Sequence, residues 1–105
     1  MESIDHLGPD RHLATWYGEP AFVEHARQIL NPILVAPDAE ALLDTLTVYL
    51  DTGSSPTETA SRMHMHRNTI RQRIATIEHL LAAPLTSMDR LTLHLACRAV
   101  KAAGR

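Results

Sequence analysis

A chain of 105 residues fits one domain and can bury only a single modest core, which argues against a multidomain enzyme. Hydrophobic residues at 45% and charged residues at 21% are ordinary for a globular domain, and four glycines with six prolines are too few for a low-complexity linker. The longest apolar run, for example Ile33 to Ala36, falls far short of the roughly 20 residues of a membrane span. A cytoplasmic protein is therefore expected, and the single cysteine, Cys97, rules out an internal disulfide or a multi-thiolate metal site.

The net charge of −2 conceals a segregation. Residues 1 to 55 hold two basic side chains (Arg11 and Arg27) against nine acidic ones, a balance of −7. Residues 56 to 105 hold eight basic against three acidic (Glu58, Glu78 and Asp89), a balance of +5. All four aromatic residues (Trp16, Tyr17, Phe22 and Tyr49) lie in the acidic half. The basic half thus has no flat ring on which an unpaired base could stack, which disfavours single-strand nucleic-acid readers.

Taken in chain order, the punctuation predicts five or six helices and no strand, an all-α domain without internal repeats. In residues 1 to 19, Asp10 is placed to cap a short helix carrying Leu13 and Trp16, closed by Gly18. Pro20 then opens a helix with Phe22, Val23, Ala26, Ile29 and Leu30 on one face, and Asn31-Pro32 is expected to stop it. Pro37 opens another, with Leu42, Leu43, Leu46, Tyr49 and Leu50 inward and Gly53 as its terminator. Its segment Thr45 to Leu50 has strand propensity, but the flank from Asp38 to Asp44 is strongly helix-forming. Ser55-Pro56-Thr57-Glu58 has the form of a capping box and starts a short helix that lasts to about Met63. A longer helix with Ile70, Ile74, Ile77 and Leu81 inward follows the polar stretch His64 to Asn68 and ends before Pro84. Ser87, with Asp89 in the first turn, opens a last helix with Leu91, Leu95 and Val100 inward and Lys101 and Arg105 near its end.

A short helix, a tight turn and a longer helix with basic residues at its start form a helix-turn-helix arrangement. Ala60 stands where the two helices would cross and only a small side chain fits, and Met63, Met65, Ile70 and Ile74 give apolar positions on both sides of the turn. From Thr59 to Leu81, TASRMHMHRNTIRQRIATIEHLL resembles the C-terminal helix-turn-helix of PucR/CdaR-type bacterial transcription regulators, with MHRNTI (Met65 to Ile70) the most specific part. The resemblance extends upstream through LLDTLTVYLDTG (Leu42 to Gly53) and downstream through LTSMDRLTLHLACRAV (Leu85 to Val100). The turn and second helix also resemble the Fis-type motif. Gln72 stands where the family often has an aromatic, and Leu81-Ala82-Ala83 replaces a common Leu-Gly step. The resemblance implies insertion of the second helix into the major groove of double-stranded DNA, by a regulator whose helix-turn-helix usually follows sensory domains. The chain is then either an excised domain or a naturally short protein.

The residues agree with that implication. Opposite the isoleucine stripe the long helix presents Asn68, Gln72, Ala75, Thr76 and His79, flanked by Thr69 and Arg71. Asn and Gln can pair bidentately with adenine and Arg with guanine, while a small Ala75 permits close approach. Arg67 and Arg73, nearer the edges, are expected at phosphates, as are Ser55 and Thr57 with the free amides of the shorter helix, and His66 in the turn. The candidate DNA-binding set is thus Ser55, Thr57, His66, Arg67, Asn68, Thr69, Arg71, Gln72 and Arg73. His64, His66 and His79 near phosphate would make affinity rise as pH falls.

Each reading has a rival. The arginines could form a solvated helical face, and the chain a helical protein-interaction module without DNA binding. His64 and His66 form an H-x-H without nearby ligands, so no metal or cofactor is called for. His94 and Cys97, three apart on one helix, are the only hint of nucleophilic chemistry, but their apolar neighbours favour a buried thiol and no enzyme. Asp38, Glu40, Asp44 and Asp51 read as a solvated face. One domain is expected over 1–105, with residues 1–35 as a helical lead-in and residues 36–105 as the helix-turn-helix core. A homodimer is expected, since one reading helix spans only a few base pairs; Trp16, Phe22, Ile29 and Ile33 are candidates for its contact or, equally, for completing a monomer's core.

Overall fold

The computed structural model describes residues 20–104 as five α-helices and a 3-10 turn, with no strand among them. Helix α1 spans Pro20–Leu34, α2 Ala39–Asp51, α3 Pro56–Met63, α4 Arg67–Leu81 and α5 Arg90–Ala102; the 3-10 turn, Leu85–Ser87, leads into α5. The helix expected between Asp10 and Gly18, and Trp16 with it, lies outside the described residues. No helix among the described residues is long and apolar enough to cross a membrane.

Helix α1 runs past Asn31-Pro32, contrary to expectation. Pro32 removes one donor and crowds the preceding turn, but it falls in the last turn, where one lost bond costs least. The chain keeps turning through Val35 N–H to Asn31 O (3.0 Å) and Ala36 N–H to Ile33 O (3.0 Å), and the extra residues put Ile33 fully inside the core. Ile33 therefore takes the second of the roles open to it, completing the monomer's core; Phe22 and Ile29 rest half-buried against that core.

Helix α2 is the central element, burying Leu42, Leu43, Leu46 and Leu50 as its stripe required. The strand-like Thr45 to Leu50 is helical, and there the buried hydroxyls of Thr45 and Thr47 donate back to Ala41 O and Leu43 O, each at 2.8 Å. Those bonds remove the penalty of burying an unpaired hydroxyl. The helix closes as expected at Gly53, whose φ of +74° is the left-handed conformation that spares glycine a steric cost. Gly53 N–H donates to Leu50 O and Ser54 N–H to Tyr49 O, satisfying carbonyls that the helix end would otherwise leave bare.

Helix α5 packs most extensively on α1 and also meets α2. Its start differs from the expected one. Asp89, not Ser87, is the N-cap, accepting from Thr92 N–H at 3.0 Å, while the Ser87 hydroxyl donates to Pro84 O inside the 3-10 turn. The shifted start also shifts the inward face: Leu93, Ala96, Cys97, Ala99 and Val100 are buried, Leu95 is half-buried, and Leu91 is 55% exposed instead of inward.

Candidate nucleic-acid interface

Helix α3 begins as its sequence requires, with the Ser55 hydroxyl accepting from Glu58 N–H at 3.1 Å and Pro56 in the first turn. The return half of the box is supplied differently. Ser55 N–H donates to Thr52 Oγ1 (3.2 Å), and Thr52 Oγ1 also meets Thr59 Oγ1 at 3.1 Å, so two threonines tie the end of α2 to the start of α3. Helix α3 ends at His64, in the left-handed conformation (φ 56°), with Met65 N–H returning to Ala60 O at 2.9 Å. Ala60 is buried, and Met63 and Met65 pack on the core from either side of the turn.

His66 then caps α4: its Nδ1 accepts from Asn68 N–H at 3.0 Å. That bond makes the imidazole nitrogen the side-chain acceptor that starts the helix.

Along α4 the inner stripe is as expected for Ile70, Ile74 and Ile77, which are buried, with Leu81 half-buried. Asn68, Arg71, Gln72, Ala75, Thr76 and His79 are all exposed, so the face expected to read DNA does point to solvent. Arg67 is exposed at the helix start, Thr69 is half-buried on the flank, Thr57 is exposed, and Ser55 is half-buried in its capping role. Arg73 departs from the group: it is half-buried, and its Nη1 donates to Thr45 Oγ1 of α2 at 3.0 Å. Arg62, given no role from the sequence, is exposed in the last turn of α3, and its place just before the turn was the available signal.

Among the described residues, three further basic side chains of this half pair with carboxylates of α2. Lys101 Nζ lies 2.7 Å from Asp44, Arg98 lies 3.1 Å from Asp51, and His94 Nε2 meets the same Asp51 oxygen. Asp44 and Asp51 are thus partners of α5 and not simply a solvated face. His94 pairs with Asp51. The Cys97 thiol is fully buried, and burial pushes its pKa up to about 12 against a weaker opposing influence of the neighbouring Thr47 side chain, which leaves it protonated and unreactive at neutral pH. No cluster of three or more His, Cys, Asp or Glu suited to a metal occurs among the described residues.

A capped short helix, a left-handed turn and a longer helix with a polar outer face, braced by flanking helices, define a helix-turn-helix domain. The chain belongs to the family of the PucR C-terminal helix-turn-helix domain, whose model matches residues 42–99. The Purine catabolism regulatory protein of Bacillus subtilis (strain 168) is 42% identical over 60 residues, which are 56% of this chain and 11% of that protein. No solved structure matches the chain.

Proposed function

We propose that the chain binds double-stranded DNA sequence-specifically by setting α4 into the major groove, as the DNA-reading part of a bacterial transcription regulator working in the cytoplasm. The observation that carries this reading is the exposed outer face of α4, where Asn68, Arg71, Gln72 and Ala75 stand together with no carboxylate partner among the described residues. Family membership supports it, as does the chemistry, because these side chains match the hydrogen-bonding edges of adenine and guanine.

In this reading Asn68, Arg71 and Gln72 contact base edges, with Thr69 at the groove's flank. Arg67, Arg62, Thr57, Ser55 and His66 meet the phosphate backbone on either side. A homodimer spaces two such helices about 34–36 Å apart on half-sites. Because the matched segment is only 11% of the Bacillus relative, effector sensing is assigned to other domains of a longer regulator. The test is selection of duplex DNA on the purified chain, scored for enriched palindromes, with sedimentation on the selected duplex. Enrichment of a palindrome bound by two copies is expected; salt-independent binding, or none, would leave the helices as a protein-interaction module.

A further inference from the structure

We propose that Arg73 is a positioning residue: through Thr45 it fixes the rotation of α4 on α2, and it does not contact DNA phosphate. The inference rests on the DNA-binding reading above and assigns Arg73 a different task within it.

The geometry is directional at both ends. Thr45 is fully buried and gives its own hydroxyl proton to Ala41 O at 2.8 Å, so toward Arg73 its oxygen can only accept. The guanidinium supplies the matching donor from Nη1 at 3.0 Å, joining residues 28 apart in sequence. The result is a one-way chain of donors from Arg73 of α4 through Thr45 into the backbone of α2. Such a chain has only one good arrangement.

Glu78 accepts from Leu85 N–H at 2.7 Å and so ties α4 only to the turn that follows it, and the apolar part of the α4–α2 contact lacks that property. Ile70, Ile74 and Ile77 are buried, but apolar burial is non-directional and sets no donor-to-acceptor register between α4 and α2. A turn of even part of one residue's roughly 100° would swing Asn68, Arg71 and Gln72 away from the base edges they are meant to read. Arg73 follows Gln72, about 100° further round the helix, and its guanidinium reaches α2, so anchoring it fixes where Gln72 points. Lysine would serve less well, since the planar guanidinium presents its donors in a fixed fork. Arg67 and Arg71 are both exposed, whereas Arg73 is half-buried, as an internal anchor requires.

The test compares the 105-residue chain with Arg73→Met, Thr45→Val, the double variant and Thr45→Ser, each bound to a selected duplex and to a random one over a range of salt. Anchoring predicts that Arg73→Met and Thr45→Val each lose roughly tenfold to a hundredfold in preference for the selected duplex, the worth of one hydrogen bond from a charged donor. The double variant should lose no more than either single one, Thr45→Ser should bind like the wild type, and the salt slope should not change. A phosphate contact predicts instead that Arg73→Met binds both duplexes more weakly with a slope shallower by about 0.9, while Thr45→Val is neutral. That outcome, or full preference in both single variants, overturns the proposal. A wild-type chain that bound no duplex would sink the DNA reading itself; the same proteins unfolded in urea would then decide the anchor, with non-additive midpoints sustaining it and additive ones overturning it.

Discussion

Helices α4 and α5 each carry three permanently cationic side chains, Arg67, Arg71 and Arg73 on one and Arg90, Arg98 and Lys101 on the other, yet they use them in opposite ways. On α5, Arg98 and Lys101 pair with Asp51 and Asp44 of α2, and Arg90 lies against the end of α2, within 3.5 Å of Leu50 O. On α4 only Arg73 turns inward, while Arg67 and Arg71 remain exposed. The segregation of charge along the sequence is therefore not the segregation of charge on the surface. Part of the positive half is spent against the acidic half in bringing α5 onto α2, and among the described residues Arg62, Arg67 and Arg71 remain exposed on α3 and α4. A net charge of −2 is compatible with a locally basic reading face for that reason.

The comparison can be broken most forcefully from the inside. Ile77→Ala should destabilise the domain by about 2–5 kcal/mol, because the fully buried side chain leaves a cavity beneath α4. Urea unfolding measures it, and a loss well under about 1 kcal/mol would mean that α4 is not seated as described. Next in size, Asn68→Ala, Arg71→Ala or Gln72→Ala should each cost about 1–3 kcal/mol on a specific duplex and relax preference at one base pair, with little change in folding stability. Arg98→Ala, which removes a partly exposed pair between α5 and α2, should do neither by more than about 1 kcal/mol.

Much of this was legible because the signals were local. Ser55-Pro56-Thr57-Glu58 fixed the start of α3, Gly53 the end of α2, and the isoleucine spacing the inner face of α4. What escaped depends on partners distant in sequence. Arg73 looked like an edge cation because nothing near it reveals a buried hydroxyl 28 residues earlier. The pairing of Asp44 with Lys101 spans 57 residues, and that of Asp51 with His94 spans 43, so neither could be read from periodicity. Boundary errors at Pro32 and Ser87 arose where burial of Ile33 and the stronger cap at Asp89 overrode a weaker local signal.

Smaller effects sharpen the helix ends. Helix α4 closes on Ala82 at φ 60°, with Ala83 N–H returning to Glu78 O, so an alanine occupies a conformation that favours glycine. Ala82→Gly should therefore stabilise the domain by about 0.5–1 kcal/mol, the strain relieved less the entropy glycine adds to the unfolded chain. An unchanged or lower urea midpoint would contradict the left-handed closure. At the start of α5, the hydroxyl and amide of Thr92 both donate to Asp89 and hold its carboxyl below the usual value of 3.8. A depressed pKa in the folded state means that the cap's contribution is complete above 3.8 and is lost as pH falls through the native value. Exchange at the Thr92 amide should accelerate, relative to its intrinsic rate, over that acid range in the wild type. It should be fast already at neutral pH in Asp89→Ala.

The division of labour between α4 and α5 is tested most directly by the salt dependence of duplex binding in the wild type, Arg67→Ala and Lys101→Ala. Loss of Arg67 should make the slope of log affinity against log salt shallower by about 0.9, the release of one counterion set by one phosphate contact. Loss of Lys101, which is held by Asp44, should leave the slope unchanged. Equal slopes in all three proteins, or a drop caused by Lys101→Ala and not by Arg67→Ala, would show that DNA does not meet the face of α4.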